Sequence, residues 1–188
     1  MLKKILILSC LLMSGAAFAQ VAPSVRGGNS TLWVGGEFGS FNSDFDAKSR
    51  IVGPGVDVDF NFTPKIGLIG EMRWLHWNGH DSQTQSDYLA GGKYAFFRFH
   101  RFTFNAKFLV GGVWVKYPVV ATGGSTGSYF AYAPGADVDY RINRHWMVRG
   151  AYEYQILPSA PGFANQPSHG LTPNGFTVGV AYRLLGVR

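Results

Sequence analysis

Residues 56–62 read Val56-Asp57-Val58-Asp59-Phe60-Asn61-Phe62, and apolar and polar side chains alternate throughout this stretch. A period of two is typical of a β-strand, whose side chains point alternately to opposite faces of the sheet. The apolar positions include two aromatic rings, whereas the polar positions carry two carboxylates and an amide. The stretch therefore predicts a strand with one apolar face and one charged face.

The same pattern returns 80 residues later in the chain. The segment Pro54–Phe60 corresponds to Pro134–Tyr140, and Gly70 corresponds to Gly150. Because the offset is even, each residue keeps its face of the strand. We interpret the match as a weak internal repeat of four strands. The alternative is chance convergence of two similar strands.

Alternating segments recur eight times, and we expect strands at about 32–39, 51–62, 66–77, 88–96, 104–114, 129–140, 148–155 and 176–184. Each is near the length at which a tilted strand crosses a bilayer. Long and short connections alternate, as in transmembrane barrels with long extracellular loops and short periplasmic turns. The sequence therefore predicts an all-β fold, an eight-stranded antiparallel up-and-down transmembrane β-barrel over residues 31–184. We expect a bulge at Pro134.

Aromatic residues of the apolar face gather near both ends of the predicted strands. Aromatic rings prefer the level of the lipid headgroups, so two such belts indicate strands that span a membrane. The alternative is a soluble barrel with an aromatic core, which would need the charged face to be the outside. The short turns contain five bases and no acid, which we expect beside anionic headgroups. These bases are Lys65, Arg98, Arg101, Arg141 and Arg144.

The first 19 residues contain the three parts of a secretory signal peptide. Lys3 and Lys4 form a basic start, residues 5–12 are almost all apolar, and Ala17-Phe18-Ala19 offers a cleavage site before Gln20. An anchoring helix is the alternative, but the apolar run is short for a membrane span. We expect a signal peptide over residues 1–19, a periplasmic leader over residues 20–30, and export to the bacterial cell outer membrane.

Composition excludes several kinds of chemistry. The only cysteine, Cys10, lies in the expected signal peptide, so the exported chain has no disulfide, thiol nucleophile or cysteine metal site. The full chain has a net charge of +6, and loss of Lys3 and Lys4 leaves +4. Because these bases are spread among the strands of an exported chain, we expect no nucleic-acid partner. No metal-ligand spacing occurs, and we expect no metal or cofactor.

The last predicted strand carries the most specific motif, Thr177-Val178-Gly179-Val180-Ala181-Tyr182-Arg183-Leu184. Together with the alternating segments, it resembles the OmpA-like eight-stranded outer-membrane domain and the broader porin-like outer-membrane β-barrel family. In that family a polar residue, a glycine and two spaced hydrophobic residues form a signal that the barrel-assembly machinery reads. The resemblance gives these roles to Thr177, Gly179, Tyr182 and Leu184, and it implies outer-membrane lipids and the assembly machinery as partners. The family often ends on an aromatic residue, whereas residues 185–188 follow here.

By alternation, most of the charges in the strands point into the predicted barrel. The inward acids are Glu37, Asp57, Asp59, Glu71, Asp137, Asp139 and Glu153, and the inward bases are Arg73, Lys93, Lys107, Arg149 and Arg183. Isolated charges in a narrow interior are costly, so we expect them to pair. Apolar Ile69, Leu75, Leu89 and Leu109 share this face, and Trp33 and Trp77 are expected near the mouths. The pairs either plug the barrel or line a gate or narrow pore, and eight strands favour the plug because they leave little free lumen.

Loose Ser, His and Asp residues in the long predicted loops offer weak candidates for catalysis: His80, Asp81, Ser82, Ser168 and His169. A triad is defined by geometry, which a loop sequence does not fix. We therefore expect no enzymatic activity. The sequence favours a structural or surface-interaction role with an unidentified extracellular ligand. A narrow porin or ion channel is the first alternative, and a lipid-modifying enzyme is the second.

Overall fold

Eight antiparallel β-strands close into one barrel in a computed structural model of the chain. The structure describes residues 30–44, 50–77, 83–117, 126–161 and 170–186. The strands are β1 (Thr31–Asn42), β2 (Arg50–Asn61), β3 (Ile66–Trp77), β4 (Thr84–Phe99), β5 (Phe102–Lys116), β6 (Thr126–Arg141), β7 (Trp146–Tyr154) and β8 (Asn174–Gly186). Each strand pairs with its neighbours in sequence, and β1 pairs with β8 to close the barrel. The predicted fold class is confirmed.

The barrel has two different ends. At one end, which we call the turn end, residues 62–65, 100–101 and 142–145 join β2 to β3, β4 to β5 and β6 to β7. The four longer connections belong to the other end, the loop end, and most of their residues lie outside the described segments. No helix long and apolar enough to cross a membrane occurs in the described part of the chain.

Burial alternates along the strands as the sequence pattern predicts. On β2, Asp57 and Asp59 are buried while the neighbouring Val56 and Val58 are exposed. The outward face is strongly apolar: Phe38 is 58% exposed and Val178 is 63% exposed. An apolar outer surface around a charged interior is the arrangement of a barrel that lies in lipid.

Two strands begin three or four residues earlier than the sequence suggested. Strand β4 starts at Thr84 instead of residue 88, and β6 starts at Thr126 instead of residue 129. The added start of β4 carries Gln85 and Asp87, both fully buried inside the barrel. A polar stretch of this kind is typical of a loop in a soluble protein. Here it forms a strand because its backbone pairs with β5 and its inward side chains find polar partners.

The expected bulge at Pro134 is wrong. Pro134 pairs with Phe108 on the β5 side without any shift of register. On the β7 side, pairing stops at Gly135 and resumes in the same register with an isolated bridge from Tyr132 to Ile156. Proline lacks the N–H that this ladder needs, so it interrupts the hydrogen bonds without inserting a residue. Pro54, its counterpart in the repeat, leaves the same gap in the β2–β3 ladder.

Apolar side chains fill much of the rest of the interior. The largest cluster contains Ile69, Leu89, Leu109, Val113, Val115, Tyr117, Ala131, Ala133, Leu157, Ala160 and Leu171. Leu157 and Leu171 pair by backbone hydrogen bonds across the base of the β7–β8 connection, at 2.8 and 3.1 Å. They therefore pack a chain segment against the loop end of β5 and β6.

Candidate functional site

The charged interior is the most distinctive feature of the described chain. Each cluster residue described below is at most 8% exposed when backbone and side chain are taken together. The acids are Glu37, Asp57, Asp59, Glu71, Asp87, Asp137, Asp139 and Glu153, and the bases are Arg73, Lys93, Lys107 and Arg149. These side chains form two clusters at different heights in the barrel. Each cluster contains four carboxylates and two bases.

The first cluster lies toward the turn end, and we call it the turn-side cluster. Its members are Asp57, Asp59, Asp137, Asp139, Lys93 and Arg149. The Arg149 guanidinium donates to Asp57 at 2.7 Å, to Asp59 at 2.5 Å and to Asp139 at 2.7 Å. The Lys93 ammonium donates to Asp59 at 2.5 Å and to Asp139 at 2.9 Å. One guanidinium from β7 therefore ties β2 to β6 across the lumen.

The second cluster lies toward the loop end, and we call it the loop-side cluster. Its members are Glu37, Glu71, Asp87, Glu153, Arg73 and Lys107. The Arg73 guanidinium donates to Glu37 at 2.6 Å, to Glu153 at 2.8 and 3.0 Å, and also to Glu71. The Lys107 ammonium bonds Glu71 and lies 3.0 Å from a Glu153 oxygen. These contacts tie β1, β3, β5 and β7 together.

Amide side chains extend the loop-side cluster. Gln85 donates to one Asp87 oxygen at 2.8 Å, and Gln155 donates to the other at 2.9 Å. Gln85 also donates to the Gln155 oxygen at 2.8 Å. The Asp87 carboxylate is therefore stabilised by amide hydrogen bonds and also by the charge of Arg73, whose Nη1 lies 4.0 Å from Asp87 Oδ2. Sequence reasoning missed Asp87, although its even spacing from Lys93 on the same strand indicated an inward side chain.

Two glycines make room for the charged side chains. A Cβ at Gly35 would lie 2.3 Å from an Asp57 carboxylate oxygen. A Cβ at Gly55 would lie 2.9 Å from Cγ of Arg73 and 3.1 Å from Cγ of Glu37. At both positions a side chain would point into the lumen beside a cluster. Glycine leaves this space to the charged side chains.

Arg183 does not join either cluster, contrary to the sequence-based expectation. It is partly buried near the turn end, where its guanidinium carbon lies 5.7 Å from the centroid of the Trp33 ring. Among the described residues it makes no salt bridge. Its guanidinium contacts the aromatic face of Trp33 instead of a carboxylate. Trp33 is buried at this mouth, with Met147 and Ala181 around it.

The residues of the resembled assembly signal divide between the two faces of β8. Thr177 and Gly179 face the lumen, and the buried Thr177 hydroxyl has no hydrogen-bond partner in the described part of the chain. Tyr182 and Leu184 are exposed on the outer surface. The Tyr182 ring packs edge-on against Trp146 of β7, with centroids 5.0 Å apart.

A small cavity opens at the turn end, and we call it the vestibule. Its volume is about 50 Å³. Asp59, Asp139 and Lys93 of the turn-side cluster line it together with Asn105, while Arg98 and Arg141 line it from the strand ends. The turn-side cluster is therefore next to a polar opening, whereas the described loop-side charges do not line this cavity.

Several candidate residues lie outside the described segments. They are residues 1–19 of the expected signal peptide, residues 20–29 of the expected leader, and the loop residues His80, Asp81, Ser82, Ser168 and His169. Within the described segments, no three His, Cys, Asp or Glu side chains are grouped so as to hold a metal ion. In each cluster Lys and Arg neutralise part of the carboxylate charge and take the oxygens that a cation would need.

Solved structures of bacterial outer-membrane proteins share this fold. Neisserial surface protein A aligns with a TM-score of 0.61 at 9% identity, covering 82% of this chain and 96% of that one. Ail of Yersinia pestis, the attachment invasion locus protein, in complex with the heparin analogue sucrose octasulfate, gives 0.55 at 15% identity, with 84% and 99% covered. OprG of Pseudomonas aeruginosa gives 0.55 at 12% identity, with 84% and 96% covered.

Sequence comparison identifies the family directly. No curated protein sequence matches the chain. The model of the outer membrane protein beta-barrel domain, however, matches residues 6–183. The match spans nearly the whole chain, including all but the last residues of β8, and it agrees with the closed eight-stranded barrel. The chain therefore belongs to the outer membrane protein beta-barrel domain family.

Proposed function

We propose that this protein is a closed outer-membrane barrel with a structural or surface-interaction role and that its lumen does not carry solutes. The observation that carries the proposal is the pair of charge clusters, in which each arginine bonds three carboxylates inside the lumen. An ion that entered would have to separate buried pairs, and an unpaired buried charge costs several kcal/mol. The apolar cluster toward the loop end adds a second obstruction.

The names of two structural neighbours support a surface role. One is called a surface protein and the other an attachment invasion locus protein. Both share the fold with this chain at low identity, so they suggest a class of role and no particular ligand. In the proposed arrangement the rigid barrel holds the four long connections at the cell surface, where loops on a fixed scaffold are well suited to binding.

The arrangement requires the loop end to face outward and the turn end to face the periplasm. An epitope inserted near Gly124 or Gln166, which lie outside the described segments, should be detected by antibody on intact cells. An epitope inserted at Pro64, in a turn, should be detected only after the outer membrane is permeabilised. The reverse labelling pattern would invert the topology and contradict the proposed surface role.

We also propose that Tyr182 and Leu184 are needed for assembly, because they are exposed on the outer face of the closing strand. Replacing both by Asp would put two charges on the lipid face, where each is unfavourable. The double variant should be exported but remain uninserted and sensitive to protease, whereas a Tyr182→Phe and Leu184→Val control should insert. Normal insertion of the Asp variant would remove the assembly role.

A narrow cation channel is the second candidate. The observation in its favour is the charge balance, since the described interior holds eight carboxylates against four bases and the vestibule opens onto one cluster. Such a channel would pass cations in preference to anions. Ion selectivity measured in a planar bilayer with a salt gradient separates the candidates, because a closed barrel gives no steady current from which to measure a selectivity.

A further inference from the structure

The turn end carries a rim of bases that the closed lumen does not explain. Its members are Lys65, Arg98, Arg101, Arg141 and Arg144, and all are exposed. No acid occurs in the described turns or in the strand residues next to them. The nearest acids in sequence, Asp59 and Asp139, are buried inside the barrel. The rim is therefore a patch of one sign of charge at one end of the molecule.

Hydrogen bonds hold the rim together without neutralising it. The Arg98 guanidinium donates to the carbonyl of Pro64 in the first turn. The Arg101 guanidinium donates to the carbonyl of Ile142 in the third turn, at 3.3 Å. The Arg141 amide donates to the Arg101 carbonyl at 3.0 Å. These bonds brace three turns together, but carbonyl oxygens are neutral. No described acid lies within salt-bridge distance of the rim bases, so their charges stay available to attract an anion.

A β-bulge places aromatic rings around this rim. The register of β4 on β5 shifts between Ala95 and Phe97. A bulge re-aims the side chains that follow it. As a result Arg98 lines the vestibule and Phe97 and Phe99 face outward, beside Phe96, which regular alternation already places outside. Each of the three rings is more than half exposed. Phe102, Tyr140, Ile142 and Trp146 are also exposed at this end.

We propose that the rim binds the phosphate headgroups of anionic phospholipids and concentrates these lipids around the turn end. Guanidinium groups form forked, charge-assisted hydrogen bonds with phosphate. Exposed aromatic rings prefer the headgroup level, so they hold the rim at the height of the phosphates. The partner is a lipid leaflet because bases and apolar rings lie side by side, and a soluble anion would use only the bases. The proposal does not depend on whether the lumen is closed.

Two tryptophans allow a matched test within one chain. Trp146 lies beside the rim and is 45% exposed, whereas Trp114 lies toward the loop end and is 46% exposed. Variants that keep only one of them, with Phe at the other tryptophan positions, are reconstituted in phosphatidylcholine bilayers containing a small fraction of brominated phosphatidylglycerol. Bromine quenches tryptophan on contact, so quenching reports the local fraction of anionic lipid. Brominated phosphatidylcholine, tested in the same way, corrects for how closely any brominated lipid can approach each tryptophan.

The rim should enrich phosphatidylglycerol about twofold or more at Trp146, because each base near an anionic surface adds attraction. Trp114 should report the bulk fraction. The enrichment should fall as salt is raised, because ions screen exposed charges. Arg98→Gln combined with Arg141→Gln should reduce it toward the bulk value, and Arg98→Lys with Arg141→Lys should retain most of it. If the Gln pair does not fold, the Lys pair and the salt series decide the outcome.

Three outcomes would overturn the proposal. Equal quenching at Trp146 and Trp114 would mean that the rim selects no lipid and serves only to balance the carboxylates inside the barrel. Enrichment that survives both the Gln pair and high salt would mean that the bases do not cause it. Enrichment abolished by millimolar inorganic phosphate, but not by chloride at equal ionic strength, would mean that the site recognises a soluble phosphate.

Discussion

The turn-side and loop-side clusters have the same composition in different surroundings. Each contains four carboxylates and two bases, and in each an arginine donates to three carboxylates. The turn-side cluster lines the vestibule, and its Asp139 side chain is 11% exposed. The side chains of the loop-side carboxylates are at most 3% exposed. Arg73 is covered by Phe41, whose ring centroid lies 5.3 Å from the guanidinium carbon.

This difference separates two roles that buried ion pairs can have. A charge orphaned in the loop-side cluster is shielded from water, so the barrel must bear the cost of its desolvation. A charge orphaned in the turn-side cluster lies beside a polar cavity through which water can reach it. We therefore infer that the loop-side cluster mainly determines stability and that the turn-side cluster mainly determines how easily ions enter the barrel.

The largest expected effect is the loss of Arg73. Arg73→Met keeps much of the side-chain volume but leaves Glu37, Glu71 and Glu153 without their shared partner. Removal of one member of a buried pair typically costs about 3–5 kcal/mol, and we expect a loss in this range. Urea unfolding in lipid vesicles measures it, with Arg50→Met, an exposed arginine at the loop end, as the control. A change no larger than that of the control would remove the distinction between the clusters.

Arg149→Met should be less destabilising, by about 1.5–3 kcal/mol, the value of hydrogen bonds to charged groups when water can partly replace them. It should nevertheless admit more ions than Arg73→Met, because two of the three orphaned carboxylates, Asp59 and Asp139, line the vestibule. We therefore expect the larger loss of stability for Arg73→Met and the larger ion flow for Arg149→Met. Urea unfolding and ion efflux from vesicles, measured on both variants, test this expectation. If one variant had the larger effect in both assays, the two clusters would not have separate roles.

The smallest expected effect comes from Asp137. Among the described residues, one of its oxygens has no hydrogen-bond partner, and its nearest bases, Lys93 and Arg149, lie 3.5 and 4.0 Å away. Because the described interior has more acids than bases, Asp137→Asn should change the free energy of unfolding by no more than about 1 kcal/mol, in either direction. The bond from Asn105, 2.6 Å long, can be kept by the new amide oxygen.

The matched loop-side change is Glu153→Gln, which removes the charge paired with Arg73 and Lys107. It should destabilise the barrel clearly in the same unfolding assay. A large loss for Asp137→Asn, or none for Glu153→Gln, would contradict the contrast between a weakly held and a fully paired carboxylate.

Alternation in the sequence was enough to predict the closed barrel and the inward direction of most charges. A strand buried on one face repeats every two residues. Wherever the register is regular, the parity of a residue, its odd or even position along the strand, therefore predicts whether its side chain points inward or outward. The bulge before Phe97 lies beyond the predicted strand 88–96, and alternation could not predict that it turns Arg98 to the vestibule and Phe97 and Phe99 outward. The sequence also missed Asp87, because a polar strand start has the composition of a loop.

Parity could not predict which charges pair. Arg73 and Glu153 are 80 residues apart and occupy equivalent positions in the repeat, yet they bond directly at 2.8 Å across the lumen. Such contacts depend on barrel width, strand stagger and the space left by glycines. Arg183 has the inward parity of the other bases, but its guanidinium lies over the Trp33 ring and makes no salt bridge with the described residues. Height along the barrel axis, which periodicity does not reveal, decides which inward charges meet.

Ion conductance of the refolded protein in a planar bilayer tests the central claim, that paired charges close the lumen. We predict low or rare current for the wild-type protein and a higher current for Arg149→Met, because breaking the turn-side pairs lets water and ions reach the orphaned carboxylates. Large, steady channels in the wild-type protein that Arg149→Met barely alters would contradict the account and favour the narrow channel.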